Sequence, residues 1–98
     1  MKHYVPRFTR EASNIIAHLP PETNRLIRSS IDELITNPAK GKELQMELSG
    51  FRSLRSKKYQ IISRVNEADA SIDIYYAGPR KDVYHNFREL LERWKREK

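Results

Sequence analysis

The stretch "YYAGPRKDVYHNF" crowds Arg80, Lys81, Tyr84 and His85, side chains that hold anions or pass protons, around one bend. A second concentration lies upstream, where Arg52, Arg55, Lys57, Lys58 and Arg64 fall between Ser49 and Val65 with no Asp or Glu among them. Guanidinium and ammonium groups neutralise charge that builds on a phosphate, while an imidazole or phenol passes a proton. RNA cleavage by attack of its own 2′-hydroxyl on the adjacent phosphorus needs only such groups, and neither metal nor cofactor. A phenol is a weak base unless cations crowd it, and its ring stacks on an unpaired base. The same residues also admit a plain structural reading, in which the charge run is solvated, Tyr84 is half-buried against a sheet and His85 faces water.

Other site types find little support. His3, His18 and His85 are scattered without metal-ligand spacing, the chain has no cysteine, and its three glycines do not form a phosphate-binding loop. No metal and no nucleotide cofactor is expected.

The elements that must position these groups follow from hydrophobic period. "HYVPRF" combines β-favouring residues with Pro6, which suits an edge strand. From Thr9, a suitable N-cap, Ala12, Ile15, Ile16 and Leu19 form one helical stripe that ends at Pro20 and Pro21. Pro21 and Glu22 suit the first turn of a second helix, whose apolar face is Ile27, Ile31, Leu34 and Ile35 and which stops at "NPAKGK". The period then shifts to two. "FRSLR", the run Tyr59, Ile61, Ser63 and Val65, and the run Ile72, Ile74 and Tyr76 predict three strands joined by the turns "RSKK" and "NEADA". Alternation puts Lys58, Gln60, Ile62 and Arg64 on one face, a wettable one, and Tyr59, Ile61 and Val65 on the core face. Val83, Phe87, Leu90, Leu91 and Trp94 trace a last amphipathic helix running into the solvated tail "KREK".

The expected architecture is an α+β domain spanning residues 1–98: an N-terminal helical hairpin, a mostly antiparallel sheet and a C-terminal helix. The helices are expected on one sheet face, with the other partly open for binding. A formal net charge of +6 favours polyanionic partners such as RNA, DNA or an acidic protein. No apolar run approaches the roughly 20 residues that span a bilayer. The N-terminus lacks the pattern of a signal peptide, so a soluble, unprocessed, cytoplasmic protein is expected, with no membrane partner.

Two separated stretches, "NPAKGKELQMELSGFRSLRSKKYQIISRV" and "IDIYYAGPRKDVY", resemble the RelE/ParE superfamily of bacterial and archaeal type II toxins, and its RelE branch in particular. The family pattern runs roughly Asn-Pro, Gly-Lys, Leu, Gly, Ser-Leu-Arg, Tyr-Arg-hydrophobic, then Gly-His-Arg-x-Asp-Val-Tyr, and the similarity extends from about Phe8 to Phe87. The resemblance implies an mRNA interferase, a ribosome-dependent endoribonuclease that enters the ribosomal A site, cuts messenger RNA and is held inactive by a cognate antitoxin. By motif, Arg55, Arg80 and Tyr84 take the catalytic positions. Arg52, Lys57, Lys58, Gln60, Arg64, Lys81 and His85 are the expected RNA-binding set around them. Gln60 stands where the family usually has arginine, Ser63 where an aromatic is common, and Pro79 where His or Lys is usual. A ParE-like, non-enzymatic inhibitor of DNA gyrase and an inert or weak RelE relative are the alternatives.

Overall fold

The computed structural model describes residues 4–96. The elements run β1 (Val5–Phe8), α1 (Arg10–Ala17), α2 (Pro21–Thr36), β2 (Lys42–Glu43), a single 3-10 turn (Met46–Leu48), β3 (Arg52–Ser56), β4 (Tyr59–Asn66), β5 (Ser71–Pro79) and α3 (Val83–Arg96). His3 and the last two residues of "KREK" lie outside the described residues.

The helical hairpin forms for the local reasons its sequence suggests. The Thr9 hydroxyl accepts a hydrogen bond from the Ala12 amide at 3.2 Å, satisfying one of the orphan donors at the start of α1. Pro21 occupies the first turn of α2, where its missing N–H costs nothing, and Glu22 faces the positive end of the helix dipole. The Asn24 side-chain amide donates to the Ile16 carbonyl at 2.8 Å, tying the start of α2 to the end of α1. The helix ends at Thr36, ahead of Asn37 and Pro38.

The sheet has five strands in the order β1-β5-β4-β3-β2. The antiparallel meander is the predicted one, with a two-residue turn of Lys57 and Lys58 between β3 and β4. β1 is the expected edge strand and pairs with β5 in parallel. On the other edge lies β2, which the sequence reading placed in a loop. It is two residues long, too short to show any period, and is held by pairing to Arg52 and Ser53. Gly41 leads into it at φ 102°, where an added Cβ would lie 2.8 Å from the Ser53 carbonyl oxygen. Only glycine allows that approach.

The helices do not share one face. Ala12 and Ile16 of α1 and Ile27, Ile31 and Leu34 of α2 pack with Leu54, Ile61, Ile72, Ile74 and Ala77. Val83, Phe87 and Leu90 of α3 pack with Leu44, Leu48, Phe51 and Ile62. Ile61 and Ile62 are consecutive in β4 and both fully buried, so they point to opposite faces and each meets its own layer. The expectation of an open face is corrected accordingly, because α3 covers much of it.

A bulge explains how β5 serves both layers. Ile62 pairs with Tyr76 and Ser63 with Ile74, leaving Tyr75 as an extra residue. The phase of β5 therefore slips. Ile72 and Ile74 face α1 and α2, whereas Tyr75 and Tyr76 both pack on the α3 cluster and Ala77 returns to the first. The predicted alternation of Ile72, Ile74 and Tyr76 on one face holds only as far as Ile74.

Candidate functional site

β3, β4 and β5 bring the two basic concentrations together at one end of the sheet. Arg55 sits directly opposite Gln60 in the β3–β4 ladder, and Gln60 lies opposite Gly78 in the β4–β5 ladder. Beyond the last strand pair, Tyr59 with Pro79, the Arg80 amide donates to the Lys58 carbonyl at 2.7 Å. That bond carries the ladder one step past β5 and seats Arg80 beside the hairpin turn. Arg55, Lys58, Pro79, Arg80 and Lys81 then line a pocket of about 540 Å³.

Four cations and no carboxylate line this pocket. Some cations elsewhere are paired: Arg7 with Asp69 and Asp73, Lys40 with Glu33, Arg88 with Glu47, and Lys95 with Glu92. Among the described residues none of Arg55, Lys58, Arg80 and Lys81 has an acidic partner. Unneutralised like charges in one concavity raise the local potential and attract anions. Arg55 is partly pre-set, since its Nε donates to the Lys57 carbonyl at 3.2 Å and leaves the outer fork of the guanidinium available. Lys57 holds a left-handed backbone at φ 53°, which costs a non-glycine residue about 1–3 kcal/mol.

Tyr84 stands in the first turn of α3, with its ring half-buried against the α3 cluster. Its hydroxyl is engaged on both sides: the Gln60 amide nitrogen donates to it at 3.2 Å, and it donates to the Ser53 hydroxyl oxygen at 3.3 Å. The Gln60 amide oxygen is buried with no hydrogen-bond partner. Ser53 carries no charge or aromatic ring to mark it in the sequence. The available signal was its alternation with Arg55, which puts both residues on the α3 side of β3.

The remaining expected residues are dispersed. Arg52 lies apart from the pocket: it shares a face with Leu54 and Ser56, turned toward α2, and its guanidinium donates to the Ala39 and Gly41 carbonyls at 3.2 and 3.4 Å, bracing the loop ahead of β2. Arg64 is on the α3 side but separated from Lys58 by the fully buried Ile62, and its guanidinium lies 5.6 Å from the Phe51 ring centroid, a cation–π contact. His85 is solvent-facing and paired with Glu89 at 3.2 Å, and it borders a separate groove between α1 and α3 rather than the cationic pocket. Lys57 is exposed at the turn without lining the pocket. Among the described residues no three His, Asp or Glu side chains converge as metal ligands, and no helix is long and apolar enough to cross a membrane.

Comparison with known proteins bears on the fold that carries these residues. The chain is 29% identical over 83 residues to Toxin RelG of Mycobacterium tuberculosis, a match covering 83% of this chain and 95% of that protein. Among solved structures it resembles a chain of the RelBE2 toxin–antitoxin complex of M. tuberculosis at a TM-score of 0.74 and 28% identity, covering 84% of this chain and 97% of that one. It also resembles a chain of the archaeal RelE–RelB complex of Pyrococcus horikoshii, at a TM-score of 0.64 and 24% identity over 82% of this chain and 97% of that one. No family model matches the chain. Its element order, its five-stranded sheet and these likenesses align it with toxins of the RelE/ParE kind, which it resembles in both sequence and fold.

Proposed function

We propose that this chain is the toxin of a type II toxin–antitoxin pair and acts as a metal-independent endoribonuclease that cuts messenger RNA in the ribosomal A site. The observation that carries the reading is the pocket of four unpaired cations, Arg55, Lys58, Arg80 and Lys81, beside a tyrosine. In this reading Arg55 and Arg80 are catalytic residues that stabilise the charge developing on the scissile phosphate, with Lys58 and Lys81 as supporting cations. Tyr84, also a catalytic residue, stacks on the unpaired base beside the cut. The 2′-hydroxyl of the RNA is the nucleophile, so no cofactor enters.

A cognate antitoxin is the expected protein partner, since the M. tuberculosis and P. horikoshii relatives were solved as toxin–antitoxin complexes. With so many free cations on this chain, association should be fast and salt-sensitive. A cytoplasmic location follows from a ribosomal target.

The test is cleavage of a defined message on programmed ribosomes, mapped by primer extension. Arg80→Ala should slow cutting by about 100-fold or more, the usual cost of losing one group that stabilises a transition-state charge, and Tyr84→Phe by less. If both variants cut like the parent chain, the site is wrong. Gln60 in place of arginine favours one further arm, because it removes a cation from the catalytic set. Inhibition of gyrase supercoiling with transcripts left intact would replace this reading by a ParE-like one.

A further inference from the structure

Gln60 occupies a position in the sheet that packing alone does not explain. It lies between Arg55 and Gly78 in the ladders, on the face that two residues later buries Ile62 completely. An aliphatic residue would satisfy that surface. The amide instead leaves its oxygen buried and unpartnered, which a folded protein rarely tolerates without a use for the group. Its nitrogen has one contact, the Tyr84 hydroxyl at 3.2 Å.

The Tyr84 hydroxyl in turn donates at 3.3 Å to Ser53, which is 4% exposed and set in the neighbouring strand. β3 and β4 thus hold the phenol from two sides. A phenol held only by its ring against the α3 cluster would rock about the first turn of α3. Two polar contacts at the tip fix where the ring lies relative to the pocket.

We propose that Ser53 and Gln60 are positioning residues for Tyr84, clamping its hydroxyl so that the ring stands in one orientation at the edge of the Arg55–Arg80 pocket. The proposal rests on the RNA-cutting reading and deepens it. The clamp acts only through Tyr84, so its effect must vanish when the hydroxyl is absent. Neither of its hydrogen bonds involves the guanidinium of Arg55 or Arg80, so the anion-holding part of RNA affinity should be spared.

The experiment is a double-mutant cycle on programmed ribosomes. Ser53→Ala and Gln60→Leu, each confirmed as folded by its thermal melt, should cut about three- to tenfold more slowly, the size of one neutral hydrogen bond. Their binding to ribosomes carrying a message with 2′-deoxyribose at the cut position should stay within about twofold of the parent chain. In a Tyr84→Phe background neither should slow cutting further. Equal losses with and without the tyrosine hydroxyl, or losses in binding that match those in cutting, overturn the clamp and leave the RNA-cutting reading standing. A parent chain that neither cuts nor binds overturns both.

Discussion

The two faces of the sheet are built from different materials. Against α1 and α2 the core is aliphatic, with Ile16, Ile27, Ile31, Leu34, Ile61, Ile72 and Ile74, and with one buried hydroxyl pair, Ser30 to Ser56 at 2.8 Å. Against α3 it is aromatic. Phe51 meets Tyr75 and Phe87 edge-on at 5.0 Å, Tyr75 reaches Trp94 at 6.0 Å, and the layer grades into the Ser53, Gln60 and Tyr84 polar cluster. Aliphatic packing is dense and has no groups left to spend on a ligand. Aromatic residues bury area while keeping polar tips, so the same layer anchors a helix and borders a wet pocket. The difference separates scaffold from site.

The largest expected effect comes from consecutive residues on opposite faces. Ile61→Ala and Ile62→Ala should each cost about 2–5 kcal/mol in urea unfolding. Native-state hydrogen exchange should tell them apart, with Ile62→Ala loosening α3 selectively and Ile61→Ala lowering protection across α1 and α2. Identical exchange patterns would end the division of labour drawn here.

Next is Gly41→Ala, which forces a side chain into a left-handed backbone and against the Ser53 carbonyl. A loss of about 1–3 kcal/mol is expected on calorimetry. Because Ser53 also receives the Tyr84 hydroxyl, the proposed RNA-cutting role predicts that the variant slows message cutting as well. A stable but slower protein would sharpen the link between the β2 edge and the site.

The smallest effect concerns acid. Burial pushes the Asp73 carboxyl up, but hydrogen bonds from Arg7 and Ser71 outweigh it and hold it below the ordinary carboxylate value. A depressed carboxylate contributes stability above the pKa of the unfolded chain, about 3.9, and loses it as pH falls through the lower folded value. Asp73→Asn should therefore reduce stability at neutral pH by at most about 1 kcal/mol, with the difference from the parent shrinking below pH 4. Melts across pH 2–7 would read it. Asp73 lies far along the strand from the pocket, so cutting at neutral pH should be unchanged.

Much of this fold is legible because its signals are local. Thr9, Pro21 and Asn37 mark helix ends through backbone chemistry that tertiary contacts do not override, and the turns "RSKK" and "NEADA" set the meander. Which face a helix covers is not local. The stripe of α3 is plain in the sequence, but its destination depends on the bend after β5. The clue was Ile62, one aliphatic residue on a face otherwise read as wettable, and it marks where α3 lands. The bulge at Tyr75 left no signature, since Tyr75 and Tyr76 are alike as strand formers. The charge of Arg52 is visible in sequence, whereas the face of β3 it occupies depends on where that strand begins its alternation. Arg55, Lys58, Arg80 and Lys81 were brought together as anticipated, since a meander must return its third strand beside the first turn.

The hydrogen bond from the Arg80 amide to the Lys58 carbonyl makes the distance between the two arginine-bearing segments a property of sheet register rather than of side-chain reach. Evolution could exchange any one of the four cations and keep an anion site. Lengthening the hairpin by one residue would instead shift Arg55 against Arg80 and undo the spacing of the pocket.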